Sequence, residues 1–118
     1  ANVMDVDVVK APVNAAGKLD GAGVSQAISE AQADGKRKVF AVVGTAGSTN
    51  LGVVDDLKSI SASAKSAGVW FHVDGAYGLA GLCAPSVRSL FDGVEQADSF
   101  IVDPHKWLFA PYDAVILN

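Results

Sequence analysis

Cysteine is almost absent. Cys83 is the single one in 118 residues, which excludes a disulfide within the chain and fits a reducing compartment, so a cytoplasmic location is expected. No second Cys or His stands at ligand spacing beside it, and no metal site is expected. Basic residues are few and scattered. Only Lys36, Arg37 and Lys38 run together, which reads as a solvated turn, and the net charge of −4 argues against a nucleic-acid partner, which needs clustered Lys and Arg. No apolar run approaches the ~18 residues of a membrane-spanning helix, so no membrane partner is expected either. Repeats, low-complexity tracts and charge blocks are lacking too. Nothing marks a linker, and residues 1–118 are expected to form one unit without an internal boundary.

What the chain does have is apolar surface. Half the residues are hydrophobic and the mean hydropathy is +0.29. A free-standing domain of this size leaves a large share of its surface in water. That much hydrophobicity leaves two readings, unusually good packing or a surface largely covered by something else, and the second is favoured.

Strand-like and helix-like patterns alternate. Residues 3–9 read as a strand, with Val6 and Val8 alternating against Asp5 and Asp7. Asp20 is a candidate N-cap for a helix that lines up Val24, Ala27, Ile28 and Ala31, and Gly35 suits its end. Residues 39–43 form a continuous apolar run of the kind buried on both faces of a parallel sheet. Asp55 can cap a second helix, with Leu57, Ile60, Ala64 and Ala67 on one face and Gly68 as its stop. Residues 69–73 give another buried strand, and 85–91 a short helix opened by proline. Residues 99–102 and 114–117 give two more strands. Strand–helix–strand alternation predicts an α/β fold with a mostly parallel sheet and flanking helices. In such sheets ligands bind at the carboxyl ends of the strands. The polar residues following three strands (45–50, 72–77 and 103–106) therefore point to one shared site.

Two residues there carry chemistry. Asp74 ends the apolar strand WFHV, where a carboxylate is costly unless a cation or donor meets it. Taken alone, it reads equally well as a turn or capping aspartate. Lys106 lies four residues beyond the strand SFIV, among Pro104, Trp107, Leu108 and Phe109. An amine stripped of water there holds its neutral, nucleophilic form more readily. Taken alone, it reads better as a lysine with its stem on apolar surface and its head in water. Together the two match a pattern: an aspartate that keeps a pyridine nitrogen protonated and a lysine that captures an aldehyde are the protein groups that pyridoxal 5′-phosphate needs.

The segments TAGSTNLGVVDDL, WFHVDGAYG and DSFIVDPHKWLFAPYD, in that order and spacing, resemble the group II pyridoxal-phosphate-dependent amino-acid decarboxylases. That family includes the aromatic-amino-acid, histidine and glutamate decarboxylases. The resemblance runs from about Val39 to the end and is weaker before it. It implies the central part of a large domain of the type I aminotransferase-like fold, and an enzyme that turns an L-amino acid into its amine and CO2. It further implies that Lys106 binds the cofactor as a Schiff base and Asp74 binds the pyridinium nitrogen. Ala76 would pack its methyl on the ring, Thr49 would place its hydroxyl near the cofactor, and His105 would lie near the phosphate or the substrate. Many relatives carry Asn where this chain has Asp103. A carboxylate repels a phosphate dianion, so Asp103 would offer its backbone N–H or face a basic residue instead. The family's homodimer, its phosphate-binding turn and its ring-stacking residue are also implied, the last two outside these 118 residues.

Other positions are less telling. His72 shares a strand face with Asp74 and reads equally as a structural histidine or a site residue. Asp55 and Asp56 read as helix caps, Tyr77 as packing with a bonded hydroxyl, and Trp70 and Trp107 as core. Two alternatives stay open: another type I enzyme, such as a class V aminotransferase or a cysteine desulfurase, and a non-catalytic structural piece.

Overall fold

Asp20 starts the first helix by capping. Its backbone is extended and its side chain accepts the amide of Gly23, which satisfies one of the donors that a helix start leaves open. Helix α1 (Gly21–Ala31) follows as the spacing predicts, burying Val24 and Ala27, and Gly35 then takes a left-handed φ of 67°. The computed structural model describes residues 2–112 and 115–117.

Strand β1 (Ala41–Thr45) leads into a turn and then helix α2 (Leu57–Ala67), which ends on left-handed Gly68. Strand β2 (Trp70–Asp74), strand β3 (Ser99–Val102) and the two-residue strand β4 (Ile116–Leu117) complete a sheet of order β1-β2-β3-β4. The first three strands are parallel and β4 is antiparallel to β3. Register places Thr45 beside Asp74 and Asp74 beside Ile101, so three strands finish level with one another.

One face of the sheet is dry. Phe71 and Val73 point toward α2 and meet Leu57, Ile60 and Ala64 in a core with almost no solvent exposure. Side-chain alternation sends Trp70, His72 and Asp74 to the other face. Neither helix lies there, and Val43 and Trp70 remain 56% and 52% exposed.

Several expectations need correction. Residues 3–9 are not a strand: residues Asn2–Met4 form a single 3-10 turn, Asp5 takes a φ of 52°, and the residues that follow it form no strand. Alternating side chains alone do not make a strand without a ladder partner. Both buried strands begin later than their apolar runs, because pairing starts where the Trp70 N–H meets the Phe40 carbonyl. Over 85–91 only Arg88–Phe91 is helical, as a 3-10 turn, with turns before it. Over 114–117 the strand is Ile116–Leu117, and Ala114 lies outside the described residues. Trp70 and Trp107 are not core, since both lie more than half exposed.

The cap of α2 also differs. Asp56 is the N-cap, accepting from the Ser59 amide. Asp55 instead joins two elements: Oδ1 accepts the Leu19 amide at 2.8 Å and Oδ2 the Thr45 amide at 2.8 Å. This carboxylate fixes the end of β1 against the segment that enters α1.

Candidate active site

The site is assembled by backbone bonds between loops that leave the level strand ends. After β1, the Ala46 N–H donates to the Asp74 carbonyl at 2.8 Å. After β2, the Gly75 N–H donates to the Ile101 carbonyl at 3.1 Å. Beyond β3, the Asp103 N–H donates to the Ala76 carbonyl at 3.2 Å. The three loops are thus laced to one another in chain order, and each brings candidate residues to the same end of the sheet.

The first two loops also touch directly. Gly47, at a φ of 92°, lies so close to Gly78 that a Cβ on it would stand 2.6 Å from the Gly78 Cα. A side chain at either position would push the loops apart, so glycine is required by the approach itself.

Asp74 is exposed at the end of β2, and its Oδ1 accepts the Ala76 amide at 3.2 Å. That short loop bond orients the carboxylate and sets Ala76 next to it. On the same face, His72 Nδ1 lies 2.8 Å from Ser99 Oγ, which also accepts the Trp70 indole N–H at 2.9 Å. His72 is therefore anchored to β3 two residues before the carboxylate.

Lys106 sits in the turn after β3, its backbone N–H bonded to the Asp103 carbonyl at 3.1 Å. Its Nζ lies 2.6 Å from Asp103 Oδ2, a short charge-assisted contact. His105 Nε2 is 4.0 Å from the same oxygen, and its ring packs on Tyr112 with centroids 5.0 Å apart. The Tyr77 ring meets the Trp107 ring edge-on at 5.7 Å, tying the loop of Asp74 to the loop of Lys106.

One sequence expectation changes here, and the choice between the two roles open to Asp103 narrows. The apolar neighbours of Lys106 do not bury it: Trp107, Leu108 and Phe109 are 58%, 44% and 91% exposed, and the ammonium is balanced by a carboxylate. The Asp103 N–H is taken by the Ala76 carbonyl, and its side chain faces a base of the same loop. Asp74, Ala76, Asp103, His105 and Lys106 are brought together by these bonds. Thr49 stands apart, exposed in the turn after β1 where Ser48 makes the local hydrogen bonds. Sequence reasoning offers a basic partner for Asp103 without identifying it as Lys106, although a spacing of three residues in a turn lets such side chains meet.

The arrangement offers an exposed carboxylate that can accept from a ring N–H, and a primary amine that can capture an aldehyde. Among the described residues no cluster of His, Cys, Asp and Glu could hold a metal ion.

Known proteins point the same way. The family model described as the pyridoxal-dependent decarboxylase conserved domain matches residues 1–118. The chain is 38% identical over 96 residues to an aromatic-L-amino-acid decarboxylase of Bacillus atrophaeus, covering 81% of this chain and 20% of that protein. Among solved structures, mouse CSAD superposes with a TM-score of 0.84 at 36% identity, covering 94% of this chain and 23% of that one. Oryza sativa TDC, solved with PLP and tryptamine, gives a TM-score of 0.76 at 35% identity, covering 85% of this chain and 21% of that one. The chain thus spans about a fifth of the length of the relatives it matches. On the family match, the shared fold and the order of its motifs, the chain belongs to the pyridoxal-dependent decarboxylases.

Proposed function

We propose that these 118 residues are the central piece of the cofactor domain of an enzyme that decarboxylates an L-amino acid to its amine with pyridoxal 5′-phosphate. The observation that carries the reading is that Asp74 and Lys106 leave adjacent parallel strands at the same end of the sheet, on loops bonded to each other. Their chemistry fits the cofactor, a carboxylate for the ring nitrogen and an amine for the aldehyde.

Within that reading each side chain has a task. Lys106 Nζ is the point of covalent attachment, on a side chain that is 35% exposed. Asp74 holds the proton on the ring nitrogen, and the Ala76 amide keeps its carboxylate turned to do so. Ala76 packs its methyl on the ring, and the Gly47–Gly78 approach keeps the neighbouring backbone close. Thr49, exposed in the turn after β1, is the outlying member of the set, and its place beside the cofactor rests on the family motif alone. His105 faces the phosphate or the substrate, and Asp103 belongs to the cofactor site through Lys106. When bound, the cofactor supplies the electron sink for the pair left by the departing carboxylate.

The proposal extends to a homodimer in the cytoplasm. Phe109 and Tyr112, 91% and 83% exposed beside Lys106, support an apolar neighbour at the mouth of the site. The lone cysteine supports a reducing location, and no described helix is long and apolar enough to cross a membrane.

The test is covalent. Borohydride reduction of the complete enzyme should fix the phosphopyridoxyl group on Lys106, and an L-amino acid should yield CO2. Peptide mapping that places the label on Lys10, Lys36 or another lysine overturns the assignment.

A further inference from the structure

The tightest polar contact at the site joins two residues of one turn. Asp103 Oδ2 stands 2.6 Å from Lys106 Nζ, with side-chain exposures of 15% and 35%. The backbone of Asp103 is fixed at both its polar groups. Its N–H is bonded to Ala76, and its carbonyl accepts the Lys106 N–H, so both ends of the pair are held by one backbone turn. Among the described residues, the other charged or titratable groups on the surrounding loops are His105, farther from the same oxygen at 4.0 Å, Tyr112 against the His105 ring, Tyr77 against the Trp107 ring, and Asp74 at the end of β2.

We propose that Asp103 is a positioning residue that latches Lys106 before the cofactor arrives, and so limits how fast the cofactor becomes attached. An ammonium in an ion pair has no lone pair with which to attack a carbonyl. The nitrogen must first give up a proton and turn from the carboxylate to the aldehyde. The step then balances simply: the ammonium and the aldehyde give a protonated C=N link and one water, which carries away the carbonyl oxygen and two of the three ammonium protons. Nothing is oxidised or reduced. The inference rests on the proposed role of Lys106 as the attachment point.

Two features separate this latch from simple repulsion of a phosphate. A latch on the amine acts on any aldehyde, whether or not it carries phosphate. With a phosphate-free aldehyde, attachment also responds to salt, because screening weakens a part-exposed ion pair.

The experiment uses the complete enzyme stripped of cofactor, following covalent attachment by the change in aldehyde absorbance. Pyridoxal 5′-phosphate and phosphate-free pyridoxal are compared on the wild type and on Asp103→Asn. The expected result is an acceleration of about fivefold with both aldehydes, the size of one modest ion pair. Wild-type attachment of pyridoxal should also quicken with added salt, and that of the variant should not. This salt arm needs no substitution, so it stands even if Asp103→Asn folds poorly. Acceleration with the phosphorylated aldehyde alone would assign Asp103 to the phosphate and overturn the latch. Unchanged or slower attachment of both, or a salt-independent wild type, overturns it as well. Borohydride mapping of the wild type keeps the two ideas apart: a label absent from Lys106 defeats the functional reading, and a label on Lys106 with unchanged rates defeats only the latch.

Discussion

Asp74 and Asp55 are both carboxylates at strand ends, and their partners give them opposite characters. Asp55 spends both oxygens on backbone amides and is structural. Asp74 takes one amide from its own loop and remains exposed, as a group that receives a ligand must. Asp74→Asn keeps the shape and the local hydrogen bond and removes the charge. The amide cannot stabilise a protonated ring nitrogen by charge, so turnover in the complete enzyme is expected to fall on the order of a hundredfold or more, the scale seen when one preorganised electrostatic partner is lost. The cofactor should still attach, as judged by its absorbance. A variant that turns over at nearly the wild-type rate would show that Asp74 is not the ring partner.

At the scale of elements, the caps show how local chemistry fixes the scaffold. The Asp20 carboxyl is held below its ordinary range first by the Gly23 amide and then by the side chain of Asn14. A carboxyl whose value is depressed on folding contributes stability above the ordinary aspartate range, and that contribution is lost as the pH falls through the depressed value. Asp20→Asn should therefore soften the acid limb of the stability profile, with the melting temperature falling less steeply on acidification than in the wild type. Parallel acid limbs would remove Asp20 from that account. Both long helices and three strands were legible because their signals are local: a capping aspartate, a stripe of apolar residues, a Gly stop and unbroken apolar runs. The strand over residues 3–9 was misread because pairing depends on a partner, which alternation cannot supply. Asp55 reads as a cap in the sequence because its partners, Leu19 and Thr45, are brought to it only by the fold. The candidate site was legible as three polar strand ends, but the bond between Asp103 and Lys106 needed the turn to be built.

At the scale of the molecule, the sheet is finished on one face and open on the other. Parallel strands with apolar runs are suited to cover on both faces. Here α2 packs on the side of Phe71 and Val73, α1 packs on α2, and neither reaches the side of Val43 and Trp70. The chain also presents Leu108, Phe109, Tyr112 and Leu117 to solvent along the end that carries Lys106. Relatives about five times as long have chain to spare for both regions. A polypeptide of only these 118 residues should therefore self-associate, bind an apolar dye strongly, and show no stable cofactor absorbance when mixed with pyridoxal 5′-phosphate. Attachment would fall to Lys106, already paired with Asp103, and to one carboxylate on the ring. Sedimentation velocity across a concentration series measures the first expectation, and a titration with the cofactor the last. A monodisperse monomer that takes up the cofactor stoichiometrically would mean that one covered face and two side chains suffice, and that the open face needs no further chain.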